Sequence, residues 1–270
     1  MSASPRTDRP GTEAQKWPQT LWVVRHGQSA GNVARDAAEA AGLADITIAE
    51  RDVDVPLSAL GEQQSDALGR WFAELLPARA PTVVLCSPYL RAKQTADRVL
   101  AAIVAAGGDV PAPELTVDER LREKEFGILD RLTRTGIRSK YPELAAQLTH
   151  VGKFYFRPPG GESWCDVILR LRSFIEMVTR EHRKERVLVV AHQVIVNCLR
   201  YLLERLEEAE ILAIDRLADV PNCSVTAYEF DPAAGRHGKL VLQLAGFVLP
   251  LTEAGAPVTT APDRPAAAKA

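Results

Sequence analysis

Three short apolar runs constrain the fold of this 270-residue chain more than any other feature. They are TLWVV (20–24), TVVLC (82–86) and RVLVVAH (186–192), and they do not alternate with polar residues, which is typical of strands covered on both faces. Apolar residues at helical spacing lie between and after these runs. Alternating strands and helices predict an α/β fold: a three-layer α/β/α sandwich with a mostly parallel central sheet.

The predicted helices have recognisable starts. Ser58 can cap a helix that runs to about Leu76, and SWCD (163–166) is a capping-box pattern ahead of another helix. Further helices are expected at 89–105 and directly behind residue 192.

Four segments give weaker signals. The sequence predicts a third strand at 115–121 and a short helix around 137–148. The β-rich runs 222–230 and 239–248 lack helical spacing, and we expect them to form a hairpin at the edge of the sheet.

The two ends of the chain differ in composition from its centre. Residues 1–18 are rich in Pro, Thr, Ser and charge, and the last twenty residues are mostly Ala, Pro and Thr. This predicts disordered tails at 1–18 and 251–270 around a single domain at 19–250.

Composition also argues against several classes of partner. A formal net charge of −2 is unsuited to a protein that coats nucleic acid or an anionic membrane, and no apolar run approaches the ~20 residues of a membrane span. The four cysteines form no CxxC pair, which argues against a disulfide framework or a zinc site. We therefore expect a cytoplasmic protein.

Cationic side chains stand where two of the predicted strands end. Arg25 and His26 follow the first strand, and His192 ends the last of the three. Ligands of parallel sheets bind beyond the carboxyl ends of the strands, so these side chains are expected to meet at one rim. A guanidinium group at this rim, such as that of Arg25, could bind a phosphate dianion bidentately.

Six motifs occur in the order found in one enzyme family. They are RHGQS (25–29) with Asn32, PLSALGEQQ (56–64), SPYLRAKQTA (87–96), LREKEFG (121–127), PGGESW (159–164) and VVAHQ (189–193). Together they resemble the histidine phosphatase superfamily, the phosphoglycerate mutase-like proteins. The resemblance implies a metal-independent enzyme without a cofactor that acts on phosphate esters through a phosphohistidine.

The same resemblance implies three catalytic roles. His26 is the candidate nucleophile, whose neutral ring nitrogen would attack phosphorus. His192 is expected to be protonated and to donate to the phosphate oxygens. Glu123 is the candidate general acid for the leaving alkoxide, although Glu119 and Glu125 lie close by and such an acidic cluster is often only a solvated face.

The second half of the chain is most similar to the fructose-2,6-bisphosphatase branch, chiefly through GKFYFRPPGGESW (152–164). This similarity implies that Lys153, Trp164 and Gln193 contact a sugar phosphate. That branch has a tyrosine in place of Trp164 and an arginine in place of Asn197, which weakens the case for a second phosphate group. A packed aromatic stripe is the alternative explanation of GKFYFR. The complete predicted substrate-binding set is Arg25, Gln28, Asn32, Arg91, Lys153, Trp164 and Gln193.

Three functions are compatible with these residues. The first is a phosphomonoester hydrolase for a small phosphorylated metabolite. The second is a phosphoglycerate-type mutase, although EFGILDRLTR after the acid motif does not resemble the glycerate mutases. The third is a non-catalytic phosphate-binding module, which the intact histidines and acid disfavour.

Two variable segments are expected to select the substrate, which the sequence does not identify. Residues 33–55 could form part of a lid, and residues 128–160 the opposite wall. No metal is predicted, because the two candidate histidines follow different strands and no HExxH motif occurs. The oligomeric state cannot be read from the sequence, although helical and edge-strand surfaces could support a homodimer.

Overall fold

A computed structural model describes residues 15–75, 79–106 and 112–260. Its strands are β1 Thr20–Arg25, β2 Val83–Cys86, β3 Glu114–Val117, β4 Arg186–Ala191, β5 Val225–Asp231 and β6 Lys239–Phe247. Its helices are α1 Ala30–Ala40, α2 Ala59–Glu74, α3 Leu90–Ala106, α4 Arg134–Lys140, α5 Pro142–Val151, α6 Trp164–Glu181, α7 Gln193–Glu204, α8 Glu208–Leu217 and α9 Leu249–Glu253.

The described strands form one sheet in the order β3-β2-β4-β1-β5-β6. The first four are parallel, whereas β5 is antiparallel to both β1 and β6. The predicted mostly parallel sandwich is therefore confirmed, and β5 with β6 forms the predicted edge hairpin. Parallel β1 and β4 are neighbours, so residues that follow them emerge side by side.

Both faces of the sheet are covered, which explains the uninterrupted apolar runs. Leu21 and Val23 of β1 point into a core shared with α6 and α7. Trp22 and Val24 point to the other side, into a core shared with α2 and α3. All four side chains are buried, and this burial provides the main stabilisation of the domain.

Two of the weaker predictions need correction. The predicted strand at 115–121 ends at Val117, because the Asp118 side chain accepts from Arg120 N and starts a 3-10 turn. The predicted helix around 137–148 is two helices that meet at Tyr141. Tyr141 precedes Pro142 and leaves the helical conformation (φ −135°, ψ 59°), as the proline ring requires.

The C-terminal boundary also differs from the predicted one at residue 250. Leu251 is fully buried, and Gln64 donates from Nε2 to Pro257 O at 2.8 Å and to Thr259 Oγ1 at 2.9 Å. Residues 251–260 thus pack on the domain, because their backbone and apolar side chains find partners there. Predicted tail residues 1–14 and 261–270 lie outside the described residues. None of the helices described is long and apolar enough to span a bilayer.

Candidate active site

A cleft of about 720 Å³, including the space open to solvent, lies at the carboxyl end of β1. Ten site residues are predicted from the sequence, and this cleft is where most of them meet. Those that line it are Arg25, His26, Asn32, Arg91, Glu123 and Gln193. His192 lies directly behind His26, with 5.1 Å between the ring centroids. Parallel pairing of β1 with β4 therefore brings the two imidazoles together, as predicted from the strand ends.

The His26 ring has a defined tautomer. Its Nδ1 lies 2.6 Å from Gly27 O, and a carbonyl oxygen can only accept, so Nδ1 carries the proton. Nε2 then holds the lone pair and accepts from Arg91 Nε at 3.3 Å. A neutral imidazole whose Nε2 carries the lone pair is the form that can attack phosphorus.

Glycine at position 27 is required by packing rather than by the phosphate alone. A Cβ there would lie 2.5 Å from Gly61 O, so the RHG turn sits directly on the first turn of α2. Gly61 is constrained in return, because its own Cβ would lie 1.9 Å from Gln28 O. This close fit holds the backbone on which His26 is mounted.

His192 is fully buried at the N-terminus of α7. Its Nε2 is 2.7 Å from Ser87 Oγ, and that hydroxyl also accepts from Tyr89 N. Its Nδ1 has no hydrogen-bond partner and lies 3.9 Å from Glu123 Oε2. A buried nitrogen without a partner is costly, and a phosphate oxygen at this point would satisfy it.

Burial and nearby positive charge favour the neutral form of both imidazoles. Burial lowers the pKa of His26 well below its usual value, and the positive charges of Arg91 and Arg25 lower it further. Burial also lowers the pKa of His192 well below its usual value, with Arg91 as the next cause. Burial thus favours neutral His192, and its expected protonation against the charge of the phosphate oxygens stays a prediction.

The two predicted arginines are buried and line the cleft with His26. Arg25 donates from Nη1 to Gln193 Oε1 at 2.8 Å and to a backbone carbonyl. Arg91 stacks over the Tyr89 ring at 4.9 Å. Asn32 accepts from Ser29 N through Oδ1 at 3.0 Å, so its Nδ2 is the group left to donate. These residues supply the positive charge and donors that a phosphate dianion needs.

Among the three neighbouring glutamates, Glu123 is the one that lines the cleft. Its Oε1 accepts from Lys124 N at 2.9 Å, which holds the carboxyl in place with Oε2 toward His192. Glu125 instead accepts from the Tyr89 hydroxyl at 3.2 Å and is exposed. The placement agrees with the predicted choice of Glu123 as the general acid, although its role stays a prediction.

Three predicted substrate-binding residues lie outside the cleft. Gln28 accepts from Ser58 Oγ at 2.7 Å, so it joins the RHG turn to the cap of α2. The Lys153 ammonium pairs with Asp215 at 2.8 Å and stacks over the Trp164 ring at 5.0 Å. Trp164 itself is fully buried in the core. The structure therefore does not support substrate contact by these three, because Gln28 and Lys153 bind other side chains of the protein and Trp164 is enclosed in the core.

Sequence reasoning missed residues at the mouth of the cleft. Ile46, Asp52 and Arg35 come from the predicted lid segment, and Asp130 and Arg131 come from the opposite wall. Both segments were expected to form walls, but no motif pointed to these individual side chains.

Hydrogen bonds join the two walls to each other. Ile46 N donates to Arg131 O at 2.8 Å, and the Arg131 guanidinium donates to Ile48 O and Glu50 O at 3.2 and 2.7 Å. Lys140 pairs with Asp45 across the same junction. The two walls therefore form one connected structure beside the cleft.

The described residues include no group of three or more His, Cys, Asp or Glu side chains placed to hold a metal ion. The absence of a metal from the reaction stays a prediction of the sequence.

Comparisons with known proteins agree with this geometry. A family model described as the histidine phosphatase superfamily (branch 1) matches residues 21–241. A Caenorhabditis elegans 6-phosphofructo-2-kinase/fructose-2,6-bisphosphatase is 29% identical over 229 residues, which cover 81% of this chain but only 43% of that protein. A Sinorhizobium fredii 2,3-bisphosphoglycerate-dependent phosphoglycerate mutase is 30% identical over 206 residues, covering 75% of this chain and 87% of the mutase.

A solved structure also matches. A mycobacterial glucosyl-3-phosphoglycerate phosphatase in complex with VO3 has a TM-score of 0.62 and 25% identity, covering 84% of this chain and 98% of that one. The family that the motifs predicted is thus confirmed: the chain belongs to branch 1 of the histidine phosphatase superfamily and is an enzyme of the phosphoric monoester hydrolase type.

Proposed function

We propose that this chain hydrolyses phosphate monoesters of small metabolites, such as sugar phosphates, with His26 as the nucleophile. The observation that carries this proposal is the fixed tautomer of His26. The backbone carbonyl of Gly27 holds the proton on Nδ1, Nε2 carries the lone pair beside Arg91 Nε, and His26 lines the cleft together with Arg25 and Arg91.

Positive charges and hydrogen-bond donors of the cleft bind the substrate phosphate. The phosphate oxygens accept from the Arg25 and Arg91 guanidinium groups and from Asn32 Nδ2. Another oxygen takes the place beside His192 Nδ1. The two negative charges of the phosphate favour protonation of His192, which lowers the cost of the charge that develops on the oxygens.

In the first step the phosphoryl group moves to the enzyme. The lone pair of His26 Nε2 forms a bond to phosphorus while the bond from phosphorus to the alcohol oxygen breaks. Glu123, in its protonated form, gives its proton to that oxygen, so the product leaves as a neutral alcohol.

In the second step water replaces the histidine. The Glu123 carboxylate takes a proton from water as the water oxygen bonds to phosphorus, and the phosphorus–Nε2 bond breaks. Inorganic phosphate leaves, and both residues return to their starting protonation states.

The test is phosphate release from a panel of sugar phosphates and three-carbon phosphate esters in the presence of a chelator. We expect turnover by the wild-type protein and a loss of at least ~10³-fold in His26→Ala. Exposed His150 is the matched control, and His150→Ala should retain full activity. Equal rates for wild type and His26→Ala would refute the mechanism.

The similarity to a phosphoglycerate mutase makes isomerisation the second candidate activity. A mutase returns the phosphoryl group to the bound product, so it must keep water out of the cleft. Interconversion of 3- and 2-phosphoglycerate, primed by the bisphosphate and without net phosphate release, would replace hydrolysis as the main activity. A cytoplasmic location completes the proposal; the four cysteines are free thiols, as a reducing compartment favours.

A further inference from the structure

The Arg91 guanidinium is already bound to an anion of the protein itself. Its Nη1 donates to Asp52 O at 2.6 Å and to Asp52 Oδ1 at 3.0 Å, and its Nη2 lies 3.4 Å from Oδ2. Arg91 is almost fully buried, whereas 40% of the Asp52 side chain is exposed at the cleft. The carboxylate therefore uses the fork of donors that a bidentate phosphate would otherwise occupy.

Asp52 is not alone at this end of the cleft. Asp130 lines the opposite wall, and partial burial together with the negative charge of Asp52 raises its pKa. Glu50 lies on the same side as Asp52. Arg131 also lines the cleft, where its guanidinium donates to the carbonyl oxygens of Ile48 and Glu50 and its Nε lies 3.8 Å from Asp130 Oδ2.

The charges of the whole cleft balance before any substrate arrives. Four arginines and four acidic residues line it, namely Arg25, Arg35, Arg91, Arg131, Glu50, Asp52, Glu123 and Asp130. With Glu123 and His192 protonated, as the proposed first step requires, a bound phosphate dianion brings the charges that line the cleft to zero. A second anionic group on the alcohol would make the occupied cleft negative, and beside Asp52 and Asp130 it would be repelled by their carboxylates.

Four apolar side chains also line the cleft. Ile46, Ile48, Val55 and Phe126 form surfaces against which carbon-bound hydrogens of a sugar or similar alcohol can pack. Carboxylates beside such a surface accept hydrogen bonds from hydroxyl groups.

We propose that Asp52 sets the charge selectivity of this enzyme: it competes with the substrate phosphate for Arg91 and, with Asp130, rejects substrates that carry a second negative charge. This inference rests on the proposed function and narrows it to monophosphates whose alcohol part is uncharged and bears hydroxyl groups. Substrate binding then requires the Asp52 carboxylate to leave at least part of the Arg91 fork.

A matched pair of ligands tests the selectivity. Glycerol 3-phosphate and 3-phosphoglycerate share a carbon skeleton and differ in a hydroxymethyl group against a carboxylate. In calorimetry we expect the wild-type protein to bind glycerol 3-phosphate more tightly than 3-phosphoglycerate. Asp52→Asn should reduce the ratio of the two dissociation constants about tenfold. Inorganic phosphate should bind Asp52→Asn several-fold more tightly than it binds the wild type.

The control removes the same charge from the same turn. Asp54 pairs with Arg51 at the surface and does not line the cleft. Asp54→Asn should therefore leave unchanged both the preference between the two ligands and the affinity for inorganic phosphate. Should Asp52→Asn fail to fold, Asp130→Asn is the second variant and should narrow the preference in the same direction.

Two results would overturn the proposal. One is weaker binding of inorganic phosphate by Asp52→Asn, which would make Asp52 a residue that only orients Arg91. The other is an unchanged preference between the two ligands. Both are binding measurements, so they are distinguishable from failure of the hydrolysis mechanism, which would appear as His26-independent turnover.

Discussion

The two ends of the cleft are built in different ways. At the phosphate end, His26 and His192 are mounted on the ends of neighbouring parallel strands and are at most 3% exposed. At the alcohol end, Asp52 and Asp130 stand on turns, and 40% and 47% of their side chains are exposed. In the proposed mechanism the chemistry is thus carried by residues of the buried core, whereas the proposed selectivity depends on surface segments that can change without unfolding the sheet.

The largest expected effect concerns proton transfer at the phosphate end. Glu123→Gln should lower steady-state turnover by about 10²- to 10⁴-fold, because both steps lose their proton donor and acceptor. With p-nitrophenyl phosphate the first step should remain fast, since nitrophenolate leaves without a proton. Stopped-flow absorbance should therefore show a burst of one nitrophenol per active site.

Glu125→Gln provides the control, because this exposed neighbour does not line the cleft. It should retain normal turnover. Slow first turnover of both p-nitrophenyl phosphate and an alkyl phosphate in Glu123→Gln would show that Glu123 binds or orients the phosphate rather than protonating the alcohol.

Alanine substitutions at two glycines, one near each end of the cleft, test whether the two ends are independent. A Cβ at Gly61 would lie 1.9 Å from Gln28 O beneath the RHG turn, and a Cβ at Gly136 would lie 1.9 Å from Ala44 O in the wall. Each alanine variant should lose about 1–3 kcal/mol of unfolding free energy, measured by denaturant titration.

Their effects on ligands should differ. Gly61→Ala should weaken binding of inorganic phosphate about tenfold, because it displaces the backbone that carries His26. Gly136→Ala should leave phosphate binding within about twofold and change only the selection among alcohols. Equal losses of phosphate affinity in the two variants would mean that the ends of the cleft are not independent.

The smallest expected effect concerns how the free energy of unfolding depends on pH. In the unfolded chain the two active-site histidines titrate near 6.5, whereas burial lowers both pKa values in the folded protein. Below about pH 6.5 the unfolded state therefore binds more protons, and stability falls as the pH drops, by up to about 1.4 kcal/mol per pH unit for each ring.

Unfolding free energies between pH 7 and 5 check this expectation. His26→Asn should reduce the slope, whereas exposed His150→Asn should not. An identical slope in wild type and His26→Asn would show that His26 titrates normally in the folded protein.

The same contrast between the two ends explains what the sequence could predict. His26 and His192 follow strands whose hydrophobicity identifies them, and the parallel pairing of those strands then requires the side chains to meet. Asp52 could not be placed, because its contact with Arg91 depends on how a loop folds across 39 residues of sequence separation.

Lys153 shows the limit of a motif. Its partner Asp215 lies 62 residues further along the chain, on α8, and Asn197 donates to the same carboxylate at 3.3 Å. Nothing in GKFYFR reveals this pairing. The prediction that Lys153 binds substrate therefore rested only on the resemblance to the bisphosphatase branch. Tyr141, which separates α4 from α5, shows a local limit. Pro142 disfavours the helical conformation at the preceding residue, and the spacing of apolar residues does not reveal that break.

Trapping of the phosphoryl-enzyme tests the nucleophilic role of His26 most directly. Glu123→Gln should be mixed with p-nitrophenyl phosphate, quenched in alkali and digested, and the peptides should be mapped by mass spectrometry. The mechanism predicts one acid-labile phosphoryl group per chain, located on His26. A phosphoryl group on another residue, or none despite a burst of nitrophenol, would contradict it.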